Sequence, residues 1–176
     1  MRYLTGLRHL ALALLVAAPA AAQTIPAECQ PLMAAGDKQF TVPSHAYITS
    51  KGLGPTPMQS ETININGVTY VMVHDRWMKS PMTSEQIAQQ SKEKARTAKV
   101  FTCKQLPDEA VGGVPANVYT SHNESATGTT DSQIWIAKAS GMALKSEVDI
   151  IGASGHKSHM SVRFEYDNVK MPAGVQ

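Results

Sequence analysis

The histidine and methionine residues of this chain could bind a metal ion through their side chains. His156, His159 and Met160 lie close together beside a glycine turn, and His74 and Met78 form a second grouping. Imidazole and thioether ligands together suit copper. Adjacent residues of a strand point to opposite faces, so His159 and Met160 cannot easily share one ion, and methionine also fills irregular apolar space. We therefore assign no metal site and no cofactor, and keep copper handling through His156 and His159 as a third hypothesis.

Motifs that signal catalysis are missing from the sequence. It has no G-x-S-x-G elbow, no phosphate-binding glycine loop, no H-E-x-x-H pair and no Cys-x-x-Cys metal knuckle. The carboxylates are scattered, and Glu165 and Asp167 alternate onto the polar side of a predicted strand, where solvation explains them. We predict a protein without catalytic residues that is not an enzyme.

The first residues have the composition of an export signal. Arg2 and Arg8 supply positive charge, residues 10–16 are apolar, and three alanines end at Ala22. We expect residues 1–22 to be a signal peptide that is cleaved near Ala22. The sequence therefore predicts export, most simply to a bacterial periplasm.

Residues 23–176 have the length of a single domain. The whole chain carries 16 Lys and Arg against 14 Asp and Glu, and Arg2 and Arg8 account for the difference. The remaining chain is formally neutral, which argues against a nucleic-acid partner. No later run approaches the roughly 18 apolar residues of a membrane span, so we expect no transmembrane segment in the mature chain.

The chain has two cysteines, Cys29 and Cys103. An even count in an exported chain favours a disulfide, and only one intramolecular pairing is possible. The bond would close a loop of about 75 residues, worth roughly 4 kcal/mol in the chain-entropy model. We predict that it is structural.

The first half of the chain combines helix and strand patterns. Residues 26–40 are compatible with a short helix, and residues 85–98, which Thr83 or Ser84 can cap, with a longer one. Between them, strands are predicted at 45–49, 58–64 and 68–75. Asn66-Gly67 is the strongest hairpin signal in the sequence.

The second half is predicted to be an antiparallel meander. Strand patterns occur at 99–105, 114–122, 132–138, 144–151 and 158–168, separated by turn material that includes residues 123–130. In the last strand Met160, Val162, Phe164 and Tyr166 share one face. We predict an α+β fold with one strongly curved antiparallel sheet of about seven or eight strands, an N-terminal helix and one inserted helix.

Methionine and aromatic residues could form an adaptable apolar surface on the concave side of such a sheet. We select Met72, Trp77, Trp135, Met160 and Phe164 as ligand-binding residues. Trp135 lies on the face opposite Ile134 and Ile136, as expected if one side of that strand faces a cavity. An ordinary core with methionines filling gaps explains the same composition.

The second half contains the segments GVPANVY at 113–119, QIWIAK at 133–138, GMALKSE at 141–147 and FEYDNV at 164–169. Together they resemble the LolA-like superfamily of periplasmic lipoprotein carriers and related lipid-binding proteins. The resemblance covers roughly residues 57–172 and implies an incomplete β-barrel, or half-barrel, closed by helices around a hydrophobic cavity. It also implies lipid or lipoprotein binding without catalysis.

Our leading hypothesis is a periplasmic, non-enzymatic binding protein that holds a lipid, an acyl chain or another apolar ligand in the concave face of a half-barrel. The alternative is an envelope protein-interaction module with the same fold and a filled core. Its partner would be an envelope protein or a lipoprotein.

Overall fold

The computed structural model describes residues 24–175, so the predicted signal peptide lies outside the described residues. A 3-10 turn, Ala27–Cys29, leads into helix α1, and a second helix, α2, separates two groups of strands. The elements are α1 Gln30–Thr41, β1 Ser44–Lys51, β2 Met58–Ile65, β3 Val68–Val73, β4 Arg76–Thr83, α2 Ser84–Arg96, β5 Val100–Val111, β6 Val114–Ser125, β7 Gly128–Ala137, β8 Ala143–Gly152 and β9 Lys157–Glu165.

The strands of the described chain form one nine-stranded antiparallel sheet in the order β4-β3-β2-β1-β9-β8-β7-β6-β5. Two meanders are joined where β1 pairs with β9, and β4 and β5 are the edges of a sheet that does not close into a barrel. The predicted fold class, a curved α+β sheet with an N-terminal helix and one inserted helix, is confirmed.

Two parts of the strand prediction need correction. Strand β4 is absent from the prediction because Pro81 and the charged Arg76 and Lys79 interrupt any apolar alternation. The strand lies at an edge of the sheet and accommodates such residues, since only one side of it is paired. Residues 123–130 are not an extended turn. Strands β6 and β7 continue into this polar segment and meet at a tight connection, with Ser125 opposite Gly128.

The predicted hairpin at Asn66-Gly67 is confirmed. Ile65 and Val68 are paired, and φ is 53° at Asn66 and 74° at Gly67. Both positive values fit the two-residue turn whose twist matches that of the strands it joins, and asparagine and glycine tolerate that conformation best.

Helix α2 begins with the predicted cap at Thr83. The Gln86 backbone N–H donates to Thr83 Oγ1 at 3.2 Å, and the Thr83 backbone N–H donates to Gln86 Oε1 at 2.8 Å. This reciprocal capping box satisfies two backbone donors that the first helical turn leaves without partners. Ser84, the next residue, is buried at the sheet, where its hydroxyl lies 3.1 Å from that of Thr69.

Helix α1 packs on one face of the sheet. Its Leu32 and Ala35 form a buried cluster with Tyr119 of β6 and Ile136 of β7. We call this side of the sheet the helix-covered face and the other side the open face.

The predicted disulfide joins the start of α1 to β5. Cys29 and Cys103 are bonded, with their Cα atoms 5.2 Å apart, and Cys29 is completely buried. The bond therefore fixes the N-terminal end of α1 to the edge of the helix-covered face.

Candidate functional site

The strand register assigns each of the five predicted ligand-binding residues to a face. Trp135 of β7 is paired with Lys145 of β8, which is paired with Arg163 of β9. Arg163 is in turn paired with Tyr47 of β1, so these residues form one row across the sheet. Since Ile136, its neighbour in the chain, packs against α1, Trp135 and its whole row lie on the open face.

Trp77 and Met72 also lie on the open face. The Trp77 ring is 6.2 Å from that of His45, which stacks on Tyr47 with ring centroids 4.2 Å apart. Met72 is directly opposite Trp77. These two residues therefore share the face of Trp135.

Met160 and Phe164 lie on the helix-covered face. Val162, between them, is opposite Ser146, which is in turn opposite Ile134, a residue packed against the α1 cluster. The apolar face predicted for the last strand is thus the helix-covered face. The five predicted residues are divided between two faces, so no single cavity contains all of them.

Trp135 is held in a packed cluster. It is 7% exposed and packs with the buried Val118 and Ala116, and its indole N–H donates to Glu109 Oε2 at 2.7 Å. The Lys145 ammonium lies 4.6 Å from the ring centroid, a cation–π contact that closes the outer side of the ring. Leu106, Val111 and Leu144 pack against this cluster, and register shifts occur nearby in the β5–β6 and β7–β8 pairings.

The helix-covered face contains a groove between α1, α2 and the sheet. Its volume is about 340 Å³, within the range of small-molecule sites. The apolar part of its wall comes from both helices and from β5: Met33, Phe40, Ala88, Ala95 and Phe101. A salt bridge between Lys92 Nζ and Asp37 Oδ1, 2.8 Å long, joins the two helices at the rim.

The groove continues along the helices in both directions. Towards the start of α2 a second space of about 580 Å³ shares Phe40, Ala88 and the Lys92–Asp37 pair with it and reaches Gly67. Towards the start of α1 a third space of about 420 Å³ shares Met33 and the same pair and reaches Arg96. The three spaces share lining residues along the seam between α1 and α2, and we call them together the seam groove.

A strip of apolar residues follows the same face beyond the helices. Val148 is directly opposite Met160, and Ile48 is directly opposite Val162. Met160 and Ile48 are only partly buried. The helix-covered face is therefore apolar both in the seam groove and along the central strands.

The open face has a different character, because histidine–carboxylate pairs cross it. His122 Nδ1 lies 2.6 Å from Asp131 and its Nε2 lies 3.2 Å from Glu124. Carboxylates beside both ring nitrogens favour the protonated ring, in which both nitrogens are donors. The hydrogen bond to Asp131, followed by the one to Glu124, raises the pKa of His122.

His159 has an equivalent position three strands away, on β9. Its Nδ1 is 2.8 Å from Asp149 and its Nε2 is 3.0 Å from Glu147. Partial burial opposes ionisation of Glu147, but hydrogen bonds from Lys145 and Ser161 outweigh it and lower the pKa of this carboxyl. Asp131 and Asp149 are directly opposed, and both border, with His122 and Glu147, a groove of about 350 Å³.

The copper hypothesis finds no assembled ligand set in the structure. Within residues 24–175, no group of three or more His, Cys, Asp or Glu side chains is arranged to hold a metal ion. His159 and Met160 point to opposite faces, and both ring nitrogens of His159 face carboxylates.

The residues that line the seam groove are not among the five predicted ligand-binding residues. Met33 and Phe40 stand on one short helix, and Ala88 and Ala95 on another whose face is rich in alanine. The available signal was weak apolar periodicity in each helix, which predicts one packed face but not that the two faces border a common groove.

None of the helices in the described part of the chain is long and apolar enough to cross a membrane.

Comparison with known proteins found similar chains among solved structures. No protein-family model matches the chain, and no curated protein matches it in sequence. Among solved structures it is similar to lipoprotein LppX of Mycobacterium tuberculosis, with a TM-score of 0.45 and 11% identity over 81% of this chain and 99% of that one.

Two further solved structures are similar at comparable identity. MucB in complex with the periplasmic part of MucA gives a TM-score of 0.46 and 12% identity, over 84% of this chain and 60% of MucB. A LolA superfamily protein from Nitrosomonas europaea gives 0.34 and 11%, over 78% of this chain and 91% of that one.

Proposed function

We propose that the protein is a non-enzymatic binding protein of the periplasm that holds a lipid, an acyl chain or another apolar ligand on the helix-covered face. The observation that carries the proposal is the seam groove, an elongated space with apolar walls on both helices and on the sheet. Met160 and Phe164 lie on the same face and extend its apolar surface.

The packing of α2 supports entry of a ligand. Its buried residues are Ser84 and Ala95, both small, and its one large apolar residue, Ile87, is half-buried. Burial of apolar area contributes about 25 cal/mol per Å², and alanine contributes little of it. Moving α2 outward to admit an acyl chain therefore costs little packing energy, and the ligand replaces the contacts that are lost.

The test places a larger side chain in the seam groove. Ala88→Phe places an aromatic ring in the seam groove, and Gln90→Phe makes a similar addition at an exposed position of the same helix that does not line it. Both variants and the unmodified protein would be purified from periplasm without detergent, and native mass spectrometry with organic extraction would identify any bound mass.

We expect a lipid-like mass on the unmodified protein and on Gln90→Phe, and its loss or strong reduction in Ala88→Phe. Incubation with a fatty acid should restore binding to the first two only. An unmodified protein that carries no lipid and takes up none would refute the proposal.

A separate observation favours the alternative, an envelope protein-interaction module. Three large apolar side chains on β2, β3 and β4 are exposed: Met58 by 51%, Val73 by 41% and Met78 by 48%. Exposed apolar residues grouped in this way are typical of contact surfaces. A stable complex with an envelope protein that Met78→Lys abolishes, in a chain without lipid, would establish this function instead.

A further inference from the structure

The seam groove has cationic groups at one end. Lys92 and Lys94 border its central part, and Arg96 borders the end near the start of α1. Asp37 is the one carboxylate that borders these two parts among the described residues. The opposite end, near Gly67, is bordered by Glu85 as well as Asp37, with Lys92 as its cation.

The groove is therefore polarised along its length. Lys92, Arg96 and one carboxylate border the end near the start of α1, and Lys94 adds a cation at the centre, whereas one cation and two carboxylates border the end near Gly67. Apolar residues, Phe40 and Ala88 among them, line the space between the ends. This is the pattern that a molecule with one anionic end and an apolar chain would match.

The salt bridge at the rim can exchange its partner. The side chains of Lys92 and Asp37 are 28% and 43% exposed, and ion pairs at such exposure contribute little net stability. An anionic group that enters beside Lys92 can therefore take the place of Asp37, whose carboxylate turns into water at small cost. Lys94 and Arg96, in the last turn of α2, add attraction at the same end.

We propose, on the basis of the function proposed above, that the ligand is an amphiphile with an anionic headgroup, bound with its headgroup at Lys92, Lys94 and Arg96. Its apolar chain runs along the seam groove past Phe40 and Ala88. The cations select the headgroup and the apolar walls supply most of the affinity.

The test compares two probes with the same chain, hexadecanoate and hexadecanol, by titration below their aggregation concentrations. The charge variant is Lys94→Gln with Arg96→Gln, and the control is Lys79→Gln with Lys170→Gln, which removes two exposed charges away from the groove. Lys92→Gln is examined separately, because it also removes the salt bridge to Asp37.

We expect hexadecanoate to bind the unmodified protein and the control about tenfold more tightly than hexadecanol at low salt, and about fivefold less tightly to the charge variant than to the control. Hexadecanol should bind all of them equally. The preference for the acid should shrink at high salt, because surface charges are screened.

Equal binding of both probes by the unmodified protein would overturn this inference and leave the apolar binding function intact. Binding of neither probe by any variant would overturn both. If the acid is preferred but the charge variant keeps the full preference, the headgroup lies elsewhere and the assignment to the α2 cations is wrong.

Discussion

Loss of the Cys29–Cys103 disulfide should destabilise the protein by an amount that follows from its position in the chain. The two cysteines are 74 residues apart. In the chain-entropy model a cross-link over that distance restricts the unfolded chain by about 4.5 kcal/mol at 25 °C. For a chain of this size each kcal/mol shifts Tm by about 2–4 °C, so a decrease of about 10 °C or more is expected on reduction.

The assay is urea denaturation of the oxidised protein and of the same protein kept reduced. The reduced protein retains both sulfur atoms, so the difference isolates the covalent bond. Cys29→Ala with Cys103→Ala adds the loss of the sulfur at a fully buried position, and it should be somewhat less stable than the reduced protein. Reductant should not change the midpoint of this double variant.

Two results would refute the reasoning. Equal urea midpoints for oxidised and reduced protein would mean that the cross-link does not constrain the unfolded chain. Two titratable thiols in the native protein would mean that the bond between the cysteines does not form. A large loss of stability with a lower midpoint supports the interpretation that the bond anchors α1 to β5.

Two further predictions concern the open face and the α2 cap. The pKa of His122 is raised in the folded protein, so its stabilising contribution is fully present below its unfolded pKa of about 6.5 and is lost as pH rises through the folded value. His122→Gln should therefore flatten the decline of the urea midpoint above about pH 6.5; an unchanged pH profile would contradict this. Thr83→Ala removes the side-chain half of the capping box and should cost about 1 kcal/mol in urea denaturation, whereas Thr83→Ser should cost much less.

Local patterns predicted most of the elements correctly. Asn66-Gly67 predicted its hairpin because few residue pairs tolerate two positive φ values, and Thr83 predicted the start of α2 because its hydroxyl can replace a missing backbone partner. Both signals act over a few residues, so tertiary context has little power to override them. Strand β4 was missed for the opposite reason, since an edge strand is defined by its neighbour β3 and hardly by its own alternation.

The site could be predicted only in part. The alternation of side chains along β7 correctly predicted that Trp135 and its neighbours Ile134 and Ile136 lie on different faces of the sheet. It cannot tell which of the two faces the helices cover. Trp135, which was predicted to bind the ligand, lies in the packed cluster of the open face. Met160 and Phe164 lie on the helix-covered face. Apolar residues on both faces made the two sides look alike in the sequence.

The sequence by itself determined the α+β class, the antiparallel meanders and the pairing of its two cysteines, because these depend on local periodicity, turn chemistry and cysteine count. Only the tertiary structure decided which face the helices cover, that β1 pairs with β9, and that α1 and α2 border a common groove. These features bring together residues far apart in the chain. Their contacts arise from packing between whole elements, which leaves no periodic signal in any one of them.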